Sequence, residues 1–298
     1  MKKSEETTTE APKQNFEISL AQWSIHNQIW DGTIDPMDFA SVAKDLGYTG
    51  LEYVNHLYVG DNVNYPMKEQ GLDAVLTELK RRSDSLGMTN VLIMVDDEGD
   101  LSLDDESITV QAVDNHKKWV DAAAFLGCHA IRVNLFGASD PEAWVANSVR
   151  SLKALSTYAA DQNISVLVEN HGGHSSDAKL LSRVMEGVAM DNCGTLVDFG
   201  NFCLRRENDE RWGAPCVEEY DRYQGIEELM AYAQGVSAKS YAFGAEGNET
   251  TMDFPRILNI VRDAGFSGFI GVEFEGPDAD PFPGMAATKS LIETVLIN

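Results

Sequence analysis

The stretch IVRDAGFSGFIGVEF, residues 260–274, joins two structural periods through one glycine. Ile260, Val261 and Ala264 repeat at helical spacing, and Gly265 falls where a helix ends in a left-handed residue. The run that follows is almost continuously apolar, as in a parallel strand covered on both faces. Three other stretches repeat the unit: VAKDLGYTGLEYV (42–54), RRSDSLGMTNVLIMV (81–95) and AAAFLGCHAIRVNLF (122–136). In these, Gly47, Gly87 and Gly127 hold the place of Gly265.

Filling the intervals gives strands near 17–23, 50–54, 90–95, 129–134, 164–169, 194–198, 235–240 and 268–274. Helical periodicity occupies 36–46, 71–86, 110–126, 143–161 and 253–264, and 281–296 reads as a last helix. Eight strand–helix units within 298 residues predict one α/β domain, a (β/α)8 barrel over 16–298. A doubly wound dinucleotide-binding sheet would carry GxGxxG after its first strand, and that motif is missing. Residues 1–15 are polar, without periodicity, and read as a disordered tail. The tail lacks the apolar core of a signal peptide and looks like the tether that follows a leader or lipid anchor in exported bacterial proteins. The chain is expected to be soluble: cytoplasmic as written, periplasmic or exported if a leader was removed.

A formal charge of −25, from 48 acidic and 23 basic side chains, repels phosphate backbones and anionic lipid surfaces. Nucleic acid is therefore a poor partner, and no run is apolar and long enough for membrane insertion. Cys128, Cys193, Cys203 and Cys216 show neither CxxC spacing nor the density of a disulfide framework. Cys128 and Cys193 read as small core residues.

Active sites of such barrels lie at the C-terminal ends of the strands. Those ends carry Trp23 and His26, Glu52, Asp96 with Asp97, and Arg132 with Asn134. They continue with Glu169, Asn170 and His171, Asp198 and Asn201, Lys239 and Tyr241, and Glu273 with Glu275. Glu169, Asp198 and Glu273 are the sharpest set. Inward-pointing carboxylates on nearby strands raise one another's pKa unless a cation joins them, and a divalent metal is the economical answer. Oxygen ligation suits Mn or Mg, or Co or Zn if a histidine joins. A rim network with Lys239 and Arg132 as counter-ions is the competing reading. His56, His116, His129 and His174 read as structural. DDEGDLSLDDE (96–106) lacks the spacing of a calcium loop and reads as a solvated acidic loop, and GAEGNET (244–250) as a turn leading into the helix at Asp253.

The combination VENHGG (168–173), LVDFGNF (196–202), SAKSYAF (237–243) and GFSGFIGVEFEG (265–276) resembles the xylose-isomerase-like barrels of sugar phosphate isomerases and epimerases, from about Ile18 to Leu296. The resemblance implies a divalent metal held by Glu, Asp, His and Glu from the later strands. Glu169, Asp198 and Glu273 match three of these. Ser237 stands where the family has the His of its His-x-Lys pattern, with Lys239 kept, and Asn201 stands where the family's Asp-x-x-His has its histidine. A serine hydroxyl is a weak ligand, so three alternatives follow: a three-carboxylate site, one that borrows His171, or one that binds its metal loosely.

Such a site suits proton abstraction alpha to a sugar carbonyl through a metal-stabilised enediolate. Glu169 and Glu273 would move the proton, and Lys239 would steady the carbonyl oxygen. Trp23, His26, Arg132, Asn134, His171 and Glu275 would hold a small carbohydrate, Trp23 by stacking on its face. Isomerase or epimerase is the first expectation. The alternatives are a lyase acting on keto-glycosides by beta-elimination and a non-catalytic sugar-binding barrel. An abasic-site endonuclease, also related in sequence, needs several histidines and a basic surface that this chain lacks.

Overall fold

A computed structural model describes residues 14–59, 66–277 and 280–297. Among the described residues ten strands run in chain order: β1 Phe16–Ala21, β2 Gly50–Val54, β3 Thr89–Met94, β4 Ala130–Val133, β5 Ser165–Glu169, β6 Cys193–Asp198, β7 Cys203–Arg206, β8 Cys216–Glu219, β9 Ala233–Ser240 and β10 Gly268–Phe274. Eight of them close into a parallel barrel in the order β1-β10-β9-β6-β5-β4-β3-β2, with helices in the intervals. The expected (β/α)8 architecture is present. The barrel strands are buried over most of their length, β2 at every residue, which is why their sequences read as apolar runs rather than alternating ones.

Two helices start earlier than their apolar periodicity does, because side-chain caps set their beginnings. Asp105 accepts from the amides of Ser107 (2.9 Å) and Ile108 (3.3 Å), so the third long helix begins at Glu106 rather than near 110. Asp140 accepts from Ala143 N at 2.9 Å ahead of the helix Pro141–Ala160. Gly87 and Gly127 end their helices in the left-handed region, at φ 63° and 82°.

Three expectations need correction. The first strand stops at Ala21, and Trp23 lies in the short turn of 3-10 helix Gln22–Ile25 that follows. The interval between the sixth and seventh barrel strands holds an antiparallel pair, β7–β8, which four-residue strands of mixed polarity did not announce. A disulfide joins Cys203 to Cys216 across that pair, 13 residues apart, so half of the cysteines are oxidised although their spacing carried no framework signal. Cys128 is buried and Cys193 half-buried, both as thiols. Of the expected tail, residues 1–13 lie outside the described residues. Gln14 donates to the carbonyls of Arg262 (2.6 Å) and Phe266 (3.1 Å), and Asn15 N to Ser267 Oγ at 3.0 Å. Among the described residues, no helix is long and apolar enough to cross a membrane.

Candidate active site

Glu169 ends β5, Asp198 ends β6 and Glu273 is the penultimate residue of β10. Parallel register brings them to one mouth: Glu169 lies beside Leu196, Asp198 beside Ser237, and Glu273 beside Lys239. One carboxylate oxygen from each of the three lies within 4.8 Å of the others, and all three residues are buried. Among the described residues this is the one group of three or more acidic, histidine or cysteine side chains that could hold a metal. Ser237 and Lys239, two apart on β9, point the same way into it. Ser237 Oγ lies 2.8 Å from Asp198 Oδ2 and 3.1 Å from Glu273 Oε2.

The carboxylates belong to a larger ionic network. Lys239 Nζ lies 3.1 Å from Glu273 Oε1, 3.4 Å from Glu275 Oε2 and 3.7 Å from Asp198 Oδ2. Arg132 sits 2.7 Å from Asp96 Oδ1 through Nη1 and 2.8 Å from Glu169 Oε2 through Nε. Five carboxylates thus share two cations, both almost wholly buried. Burial and the neighbouring acids push Glu273 up to about 8. Glu169 and Asp198 are also raised, chiefly by burial, while Arg132 and Lys239 pull against it. Burial opposes the Lys239 charge, yet Asp198, Glu273 and Glu275 outweigh it and hold the ammonium well above its usual range. Glu275 goes the other way: despite burial, Lys239 and the Trp23 indole keep its carboxyl low.

The protein therefore buries more carboxyl groups than its own cations can neutralise, and three of their oxygens converge. This donor set fits a hard divalent cation. Glu169, Asp198 and Glu273 would hold it. His171, available as a borrowed ligand, lies outside that group, its Nδ1 3.9 Å from Glu169 Oε2.

Asn134 Nδ2 donates to Asp96 Oδ1 at 2.7 Å, so Asn134 Oδ1 faces His171 Nδ1, also at 2.7 Å. A carbonyl oxygen accepts only, which fixes the tautomer: Nδ1 carries the proton and Nε2 is an acceptor. Burial first, then the Lys239 and Arg132 charges, push this imidazole down to about 3, so it is neutral at any working pH. Asn170, buried, clasps the next strand end. It donates to the carbonyls of Asp198 (2.9 Å) and Asn201 (3.1 Å) and accepts from Asp198 N at 2.8 Å. The amides of Gly200 (2.8 Å) and Asn201 (2.9 Å) in turn fix Asp198 Oδ1. Asn201 Nδ2 donates to Glu169 Oε1 at 3.0 Å, filling with an amide the position where the family pattern has a histidine. At Gly200 a Cβ would meet Tyr241 Oη at 2.3 Å and Lys239 Cδ at 3.0 Å, so any side chain there would displace Tyr241 and crowd the lysine.

The strand ends open into a cavity of about 1020 Å³ lined by Trp23, Arg132, Asn134, Glu169, His171, Lys239, Glu273 and Glu275 among others. His26 lies outside it, against a separate small pocket, with its ring stacked on Trp23 at 4.2 Å. Trp23 donates its indole N–H to Glu275. His56 and His116, read as structural, both line the cavity. His116 bonds its own helix at Ala112 O, 2.7 Å, and His56 pairs with Asp97 at 3.2 Å. The acidic stretch 96–106 is less solvated than its composition implies. Asp96 serves Arg132, Glu98 accepts from Trp119 Nε1 at 2.6 Å, and Asp105 caps a helix. Glu249 in the 244–250 turn gathers four backbone amides, those of Tyr241, Ala242, Thr251 and Met252, and so pins the chain leaving Lys239. Capping and clasping residues of this kind carry no periodic signal.

Glu52 is not at the mouth but inside the barrel, 2% exposed. Its Oε1 accepts from Ser19 Oγ at 2.6 Å and its Oε2 has no partner. Gly271 leaves it room, since a Cβ there would stand 2.5 Å from Oε2. Burial pushes its carboxyl from 4.5 up to about 7. Native protein therefore binds the proton more tightly than unfolded chain, and Glu52 costs stability progressively as pH rises from 4.5 through 7. At about 1.4 kcal/mol per unit this reaches roughly 3 kcal/mol. Glu52→Gln is expected to raise the Tm by several degrees at pH 8 and to leave it nearly unchanged at pH 4.5. Equal shifts at both pH values in thermal denaturation would contradict this.

The chain belongs to the xylose isomerase-like TIM barrel family, whose model matches residues 40–295. It is similar in fold to 3-keto-D-glucoside 4-epimerase from E. coli, at 14% identity and a TM-score of 0.66 over 95% of this chain and 100% of that one. D-psicose 3-epimerase with D-tagatose from Clostridium cellulolyticum H10 is as near, at 14% identity and 0.67 over 94% of this chain and 99% of the other. The IolI protein with a bound zinc atom follows at 11% identity and 0.66, over 94% of this chain and 99% of that one. A search of curated proteins finds no match.

Proposed function

We propose that the protein is a divalent-metal-dependent sugar isomerase or epimerase that removes a proton alpha to a carbonyl. The observation that carries this reading is the convergence of Glu169, Asp198 and Glu273 within 4.8 Å beneath an open cavity, in a network short of positive charge. Proton movers and a cation site then coincide, as alpha-deprotonation requires. Fold likeness to the two epimerases named above supports it. When bound by the three carboxylates, the cation supplies Lewis acidity toward a sugar carbonyl; Mn or Mg suits the all-oxygen donor set better than Co or Zn.

The chain's own residues do the rest. One of Glu169 and Glu273 takes the proton from carbon, and the other delivers a proton. Delivery to the opposite face of the same carbon epimerises; delivery to the former carbonyl carbon, with the neighbouring hydroxyl proton passing to the former carbonyl oxygen, isomerises. Lys239 lends its ammonium to the oxygen that gains charge. His171 Nε2 accepts from a sugar hydroxyl, Asn134 holding the ring by its other nitrogen. Trp23, fixed by Glu275, offers a face for stacking. His26 supports Trp23 from behind, and Arg132 holds Glu169 and Asp96 apart.

The lyase reading remains second, favoured by the cavity volume: departure of an oxygen substituent on the carbon beside the deprotonated one gives elimination. The Cys203–Cys216 disulfide supports an oxidising compartment over the cytoplasm.

Calorimetric titration of chelator-treated protein with Mn2+ or Mg2+ tests the metal. One equivalent per chain is expected, with a raised Tm, and Asp198→Asn should abolish both. Wild-type protein that takes up no divalent ion would remove the metal from the proposal.

A further inference from the structure

The cavity continues well past the carboxylates. Its volume of about 1020 Å³ has room for roughly thirty waters at about 30 Å³ each, and a hexose, with about a dozen heavy atoms, leaves most of it open. The open part is bounded by Asp97, Asp100, Phe136, Arg211 and Trp212. Arg211 and Trp212 belong to the segment between β7 and β8, in the interval between the sixth and seventh barrel strands.

This outer wall is organised. Arg211 makes two hydrogen bonds to Asp100, Nη2 to Oδ2 at 2.7 Å and Nη1 to Oδ1 at 3.1 Å, tying the hairpin to the loop after β3. Its guanidinium carbon lies 4.3 Å from the centre of the Phe136 ring. The Trp212 ring stands 5.4 Å from Phe136 and 4.8 Å from His171, centre to centre. Yet Trp212 remains 47% exposed. The Cys203–Cys216 disulfide ties β7 to β8 behind this segment, and the Arg211–Asp100 pair anchors its tip. His171 follows Glu169 by two residues, and the aromatic wall therefore begins one ring away from the reacting groups. A large, half-exposed indole held in position by two neighbouring rings, with a cavity in front of it, is a surface for a flat ligand ring.

We propose that Trp212 and Phe136 form a second subsite, for a ring with an apolar face carried by the same substrate whose sugar carbonyl lies at Glu169 and Glu273. The substrate class is then a keto-glycoside, its carbonyl on a ring carbon because the glycosidic bond locks the anomeric one, with an aryl group or a second pyranose as its distal ring, rather than a free monosaccharide. This rests on the sugar reading given above. Stacking on an indole is worth a fraction to somewhat more than one kilocalorie beyond contact area, enough for about a tenfold gain in affinity.

Saturation-transfer NMR on the intact chain, with 4-nitrophenyl and methyl glycosides of glucose, galactose, mannose and xylose and with cellobiose and lactose, reads the subsite directly. The distal ring should take up the most saturation, and at least one aryl glycoside or disaccharide should bind about tenfold tighter than the corresponding methyl glycoside. Leading signals from nitrophenyl protons would mark an aryl ring as the occupant, and from the second sugar a saccharide. In Trp212→Ala the two affinities should become equal, and Trp212→Phe should restore most of the gap, which separates loss of the ring from misfolding. Saturation confined to the first sugar, equal affinities in the wild-type chain, a gap that survives Trp212→Ala, or no binding by any probe would overturn the subsite. Binding is read without turnover. A protein that holds aryl glycosides but never exchanges an alpha proton keeps the subsite and loses the epimerase, and the reverse result does the opposite.

Discussion

Glu169→Gln should lower turnover by at least about a thousandfold while leaving the circular dichroism spectrum unchanged. A positioned acid or base contributes roughly 10²- to 10⁴-fold, and Glu169 is proposed to serve in addition as a metal ligand. The glutamine oxygen still accepts from Asn201, whose amide lies 3.0 Å from Glu169 Oε1 in the wild-type chain. Its amide nitrogen, however, would face Arg132, so the guanidinium keeps only Asp96 as an ion partner. The loss should fall on kcat, because the carboxylate is asked to act on the proton rather than to hold the sugar. A variant with wild-type kcat and a raised KM would assign Glu169 to binding and sink the proton-transfer role.

Lys239→Met should cost about a hundredfold or more in rate, the usual price of one donor aimed at a developing oxyanion. The same change strips the only cation within 4 Å of Asp198, Glu273 and Glu275 among the described contacts, so metal-free protein should also melt at a lower temperature. Two effects of one substitution can be told apart. Added Mn2+ should recover much of the Tm, since a divalent ion relieves the same repulsion, and should leave the rate low. Recovery of both would make Lys239 a counter-ion alone.

The barrel was legible because its strands are apolar on both faces and its helices end on glycine, two signals that survive in a single sequence. The three carboxylates were legible for the same reason: a charge that terminates an apolar run stands out, as Glu169 does after 164–168. What escaped was held by groups with no period. Asn170 clasps the end of β6, Glu249 gathers backbone amides, and Asp105 and Asp140 move helix starts by several residues. The β7–β8 hairpin was missed because CLRR and CVEE carry no apolar run and the residues between them, 207–215, make a connection longer than a common hairpin loop. With it went the disulfide and Trp212, which only the folded chain brings to the cavity. Glu52 was misplaced for a simpler reason. It interrupts the apolar strand GLEYV at its middle, and position in the strand, not polarity, decides whether a residue reaches the mouth or the barrel interior.

Removal of a carbon-bound proton next to a carbonyl is common to the isomerase, epimerase and lyase readings. Manganese-loaded protein incubated in heavy water with a panel of keto-sugars and keto-glycosides, followed by proton NMR, measures that step without knowledge of the product. Loss of one C–H signal is expected, stopped by chelation, abolished in Glu169→Gln and in Glu273→Gln, and slowed in Lys239→Met. An unchanged sugar skeleton with inverted stereochemistry would specify the epimerase, and release of the distal group the lyase. Retention of every C–H signal across the panel by fully metal-loaded protein would contradict the account and leave a barrel that binds sugars without transforming them.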